Sequence, residues 1–111
     1  MAFDVITPTR LAVAELTTSM ATYRTTPIGS RDIITTVTVA NNNATSKQVS
    51  IHLVKNGDSA DNSNALLPNI NVDGNAMLPI RINHVLEEND TIQAQASDTG
   101  VTMIISGGNA V

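Results

Sequence analysis

The run IITTVTVA, residues 33–40, limits the fold more than any other feature of the chain. Its apolar and polar residues alternate with a period of two, the period at which side chains leave opposite faces of a β-strand. Ile33, Val37 and Val39 fall on one side, and Ile34, Thr36 and Thr38 on the other. The same alternation returns in QVSIHLV, AMLPIRI, TIQAQAS and GVTMIIS. Val49, Ile51 and Leu53 share a face, with Ser50 and His52 opposite. Ala76, Leu78, Ile80 and Ile82 share another, with Met77, Pro79 and Arg81 opposite. No segment repeats apolar residues at helical spacing over a useful length, so no helix is expected.

Two weaker strands are expected at 10–16 and 20–25, and a short extended piece at NALLPNI brings the set to about eight. PIGS, NNNATS, NGDSADNSN, DGN, EEND and SDTG separate them as turn-forming clusters. Short strands with one apolar face each must pack face to face. The fold class is therefore all-β: a single antiparallel β-sandwich, either jelly-roll or an immunoglobulin-like Greek key. Val37, Val39, Ile51, Leu53, Ile80, Ile92 and Ile105 are the expected core. Pro79 lacks a ladder donor and marks an edge strand or bulge. The 111 residues suit one domain, read as an arm at 1–9, the sandwich at 10–107 and a tail at 108–111.

Composition narrows the function. Six basic and ten acidic residues give a net charge of −4, and the chain has one Tyr, one Phe and no Trp. There is neither a basic track for phosphates nor a set of stacking aromatics, so no nucleic-acid partner is expected. No apolar run reaches a membrane span, and the start MAFDVITPTR has no signal-peptide pattern. With no cysteine, disulfides and thiolate metal sites are excluded. His52 and His84 lack partners at metal-ligand spacing and read as solvated. DSADNSN departs from the calcium-loop register, and its Asp and Asn suit turns. Glu87 and Glu88 are adjacent and diverge, so they do not make a facing carboxylate pair. No nucleophile, base and orienter assemble, so no cofactor, metal or enzyme activity is expected.

Interaction is expected at two segments that the sandwich does not need for closure. One is the arm with Phe3, Val5 and Ile6. The other is the long stretch 56–75, with Asp58, Asp61, Leu66, Leu67 and Ile70. Outward Ile34, Met77 and Ile104 add apolar atoms to a face that should be wet.

The ordered elements YRTTPIG (23–29), IITTVTVAN (33–41), QVSIHLV (48–54), VLEENDTIQAQAS (85–97) and GVTMIISG (100–107) resemble the small β-sandwich virion proteins of tailed bacteriophages. Those proteins carry a YTVPAG-like element, two alternating strands, an L..GDTI.A.AS element and a final V...ISG strand. This chain departs from them at Arg24-Thr25-Thr26 and at Glu88-Asn89-Asp90. The resemblance implies a virion component assembled in the host cytoplasm. As a decoration or cement protein it would bind the major capsid protein as a homo-oligomer, commonly a trimer. The alternative within the virion is a neck or tail adaptor, collar or fibre-attachment protein. A carbohydrate-binding adhesion module is an alternative of another class, and it would need an aromatic platform. The lone Tyr23 is read as packing one end of an aliphatic sandwich.

Overall fold

The computed structural model describes residues 6–111, which form eight strands and no helix. They are β1 (Ile6–Glu15), β2 (Ala21–Thr25), β3 (Arg31–Asn41), β4 (Lys47–Val54), β5 (Ala65–Val72), β6 (Ala76–Leu86), β7 (Thr91–Ala96) and β8 (Val101–Ala110). A front sheet in the order β1-β8-β3-β6 packs on a back sheet in the order β2-β7-β4-β5. β1 pairs with β8, β2 with β7, β3 with β6 and β4 with β5, all antiparallel. A long hairpin folded over on itself gives this pattern. It selects the jelly-roll from the two topologies left open by the sequence.

The core lies between the sheets. Val37, Val39, Ile51, Ile92 and Ile105 are fully buried, as their alternation requires. Leu53 is half-buried and packs against the core, whereas half-buried Ile80 stands outside that cluster, which corrects its place among the expected core residues. Ile80 lies on β6, an edge of the front sheet, where Pro79 costs no inner ladder bond. Ile34 is a larger correction, because it is buried rather than outward. Between Ile34 and Thr36 the pairing slips against both β6 and β8. The extra residue of this bulge returns Ile34 to the core side, three positions from Val37. Gly107 faces the same irregularity: a Cβ there would lie 1.7 Å from the Ile33 carbonyl oxygen.

Residues 6–9 and 108–110, expected in an arm and a tail, belong to strands. Ile6, Thr7, Pro8 and Thr9 pair with Ala110, Asn109, Gly108 and Gly107. The stretch 56–75 is likewise not one loop, since 65–72 is β5.

β3 carries a buried polar side chain near each end, and each reaches the opposite sheet. Asp32, with 0% exposure, accepts from Arg24 Nε at 2.7 Å and Nη2 at 2.8 Å. Thr26 Oγ1 and Asn109 Nδ2 donate to the same carboxylate, each at 2.9 Å. Arg24 is on β2 of the back sheet, so this bidentate pair bridges the sandwich. Burial alone would raise the Asp32 carboxyl. The donors Arg24, Asn109 and Thr26, with the Arg24 charge, outweigh it and hold the group below the usual carboxylate range. Asn41 closes the other end. Its Nδ2 lies 2.9 Å from the Thr45 carbonyl and 3.0 Å from that of Val72 on β5. Its Oδ1 accepts from Asn43 N at 2.9 Å. Asn41 therefore turns inward as a tie, and none of the three consecutive asparagines adopts the left-handed backbone that such a run tolerates.

Two outcomes follow. Ile34→Ala should cost about 2–5 kcal/mol in urea unfolding, and more than Ile33→Ala; the reverse order would put the bulge in the wrong place. The Asp32 pKa is lowered on folding. The stability it contributes is thus present above the unfolded value of about 3.9 and lost as pH falls through the folded one. Unfolding measured from about pH 5 down to about pH 2 should show a weaker acid dependence in Asp32→Asn than in the natural chain. Equal slopes would mean that Asp32 is not depressed.

Candidate interaction surface

Residues opposite one another in paired strands project from the same face of a sheet. Across the outer side of the front sheet, register places Val13, Ile104, Thr38 and Pro79 in one row. Glu15, Thr102, Ala40 and Met77 form the next. Val13 is 51% exposed, Ile104 38% and Met77 65%. The eight positions hold a single charge, Glu15. Its Oε2 accepts from Gly100 N at 3.1 Å. On the other side a third row runs Arg10, Ser106, Thr36 and Arg81, with a cation at each end. The result is an apolar and threonine-rich strip across all four strands, with charge at its margins. Single exposed apolar residues are ordinary, whereas apolar residues joined across strands form a patch. Met77 and Ile104 were expected to face outward and do so. Val13 was missed, because β1 alternates weakly in LAVAE.

The outer side of the back sheet is polar. Ser50 and His52 on β4 stand opposite Gln95 and Gln93 of β7. His52 is buried rather than solvated, because the β4–β5 loop folds over it. Asn64 Oδ1 accepts from Asp61 N at 3.0 Å and lies 2.8 Å from His52 Nδ1. Asn64 Nδ2 donates to the Ser59 carbonyl at 2.9 Å. Asp61 takes the hydroxyl and N–H of Ser63, and these bonds hold its carboxyl below the usual range. The loop thus uses its polar groups on itself. Among the described residues no cluster of His, Cys, Asp and Glu could hold a metal ion.

The expected contact residues do not converge on one surface. Phe3 and Val5 lie outside the described residues. Ile6 is exposed on β1 of the front sheet. Asp58 and Asp61 are exposed in the β4–β5 loop, and Leu66 is half-buried on β5. Leu67 and Ile70 both pack against the core, because the extra residue at Pro68–Asn69 returns the two to the same side of β5.

Tyr23 also packs against the core, and its hydroxyl accepts from Thr17 N at 3.1 Å. The two departures from the bacteriophage pattern both carry contacts. Arg24 and Thr26 hold Asp32. Glu88 Oε2 accepts from Gly29 N at 2.8 Å, and Asp90 Oδ2 from Glu87 N at 2.9 Å. Gly29 has φ 84°, a left-handed value that glycine adopts without strain, and it turns the Pro27–Ser30 corner toward Glu88.

No protein-family profile matches this chain, and no curated protein matches it at a significant level.

Proposed function

We propose that this protein is a structural component of a bacteriophage virion, a decoration or cement protein that binds the major capsid shell through the outer side of its front sheet. The observation that carries the reading is the strip through Val13, Ile104, Thr38, Pro79 and Met77, which leaves apolar area in water across a whole sheet. The ordered resemblance over residues 10–107 supplies the virion context. Such a protein works by burial without turnover. Each copy gains roughly 25 cal/mol per Å² of apolar area covered, less the cost of association. Repetition over the shell multiplies a modest contact.

The test is the copy number of the chain in purified particles, together with the binding of Val13→Asp/Ile104→Asp. Both substitutions fall on exposed positions, and circular dichroism checks that the sheet is kept. A copy number comparable with that of the major capsid protein is expected. The variant should lose at least about tenfold in affinity, some 1.4 kcal/mol. A few copies confined to the neck or tail would move the protein to an adaptor role. Absence from particles would overturn the virion reading, and undiminished binding by the variant would overturn the assignment of the face.

A further inference from the structure

The outer side of the back sheet holds a cleft of about 170 Å³ lined by Thr18, Gln48, Ser50, Asn69, Gln95 and Ser97, with Ala96 at its side. Three independent features of the backbone and side chains build it. First, β5 bulges there: Val49 pairs with Ile70 and Ile51 with Leu67, so Pro68 and Asn69 together stand against Ser50. Bulges re-aim side chains and recur beside binding sites. Second, Asn69 has φ 43°, a left-handed value that is uncommon outside glycine. Buried Ser50 holds it there: Ser50 Oγ donates to Asn69 Oδ1 at 2.8 Å and accepts from Asn69 N at 3.1 Å. Neither proton of the Asn69 amide nitrogen is used among the described residues. Third, the half-buried Gln95, opposite Ser50 in register, makes no side-chain hydrogen bond among the described residues, and neither do the Gln48 amide and the Thr18 hydroxyl.

The lining selects a ligand class. No charged side chain lines the cleft, and flanking Lys47 and Asp98 pair with each other at 3.1 Å, so neither an anion nor a cation is favoured. With Ala96 as the one aliphatic residue of the lining, an apolar ligand gains little. What the site offers is carboxamides and hydroxyls, which supply donors and acceptors side by side. Vicinal hydroxyls on a ring present the matching pairs. We propose that this cleft binds a neutral saccharide, through the Asn69, Gln95 and Gln48 amides and the Thr18 hydroxyl, on the side of the sandwich away from the apolar strip. No aromatic stacks in the cleft, so affinity for one sugar ring is weak, with Kd on the order of 1 mM. The site stands independently of the virion reading.

Amide correlation spectra of the purified protein, titrated with D-glucose, D-galactose and N-acetyl-D-glucosamine to about 50 mM, well above the expected Kd, test the proposal without any particle. At least one sugar should give saturable shifts centred on Ser50, Asn69 and Gln95. Gln95→Ala should weaken them at least tenfold. Gln93→Ala should leave them in place, because Gln93 bonds Thr91 on its own strand. If all three sugars give linear or scattered shifts, or if saturable shifts survive Gln95→Ala, the cleft is not a saccharide site.

Discussion

A polar side chain taken out of water must find partners within the protein, and β3 meets that constraint at both of its ends. Asp32 is wholly buried yet accepts from three side chains, while Asn41 is held among carbonyls and a backbone N–H. Between them Ile34, Val37 and Val39 supply the apolar middle. Each tie crosses to the back sheet: Asp32 through Arg24 on β2, and Asn41 through the Val72 carbonyl on β5. Hydrophobic packing is non-directional and tolerates sliding. Directed bonds at the two ends of one strand fix how the sheets sit on each other. Removing one partner of such a pair leaves a buried charge or amide alone, which costs far more than the net worth of the contact.

With the sheets fixed, their outer faces diverge in chemistry. The front sheet turns Val13, Ile104 and Met77 outward beside threonines. The back sheet turns out serine, histidine and glutamines, and the β4–β5 loop covers part of that face with its own hydrogen-bonded frame. The bulges decide which residue lands where. One at Thr35 sends Ile34 inward, and another at Pro68–Asn69 opens the cleft beside Ser50. A sandwich with one apolar and one polar outer face has a natural orientation on a surface, with the first covered and the second facing water.

Much of the fold could be read from the residues, because alternation with a period of two is a direct image of the pleat. The five strongly alternating runs are strands, and the turn clusters fall between strands. The misreadings have local causes. A single extra residue at Thr35 reverses the face of everything before it, so strict alternation put Ile34 outside. Gly108 looked like the start of a tail because glycine is scarce in strands, yet β8 runs on to Ala110, and Gly107 is needed where the Ile33 carbonyl comes close. Pro68 and Asn69 reduced β5 to a short extended piece within a long irregular stretch for a similar reason. The Arg24–Asp32 bridge could not be read at all, since it depends on β2 and β3 lying in different sheets. The surface was only partly legible. Exposed Met77 and Ile104 follow from alternation, but their continuity with Val13 is a property of register, which one strand alone does not encode.

The central claim is that the front sheet is covered on assembly while the back sheet stays wet. Met77 is a chemical reporter for it: the side chain is exposed in the free protein, and the thioether oxidises to the sulfoxide when reagent reaches it. Mild peroxide treatment of the free protein and of the particle-bound protein, read by peptide mass, measures the difference. The account predicts rapid oxidation of Met77 when free and strong protection when bound, with buried Met103 slow in both states. Equal oxidation of Met77 in the two states would contradict it, because the strip would then face water on the particle.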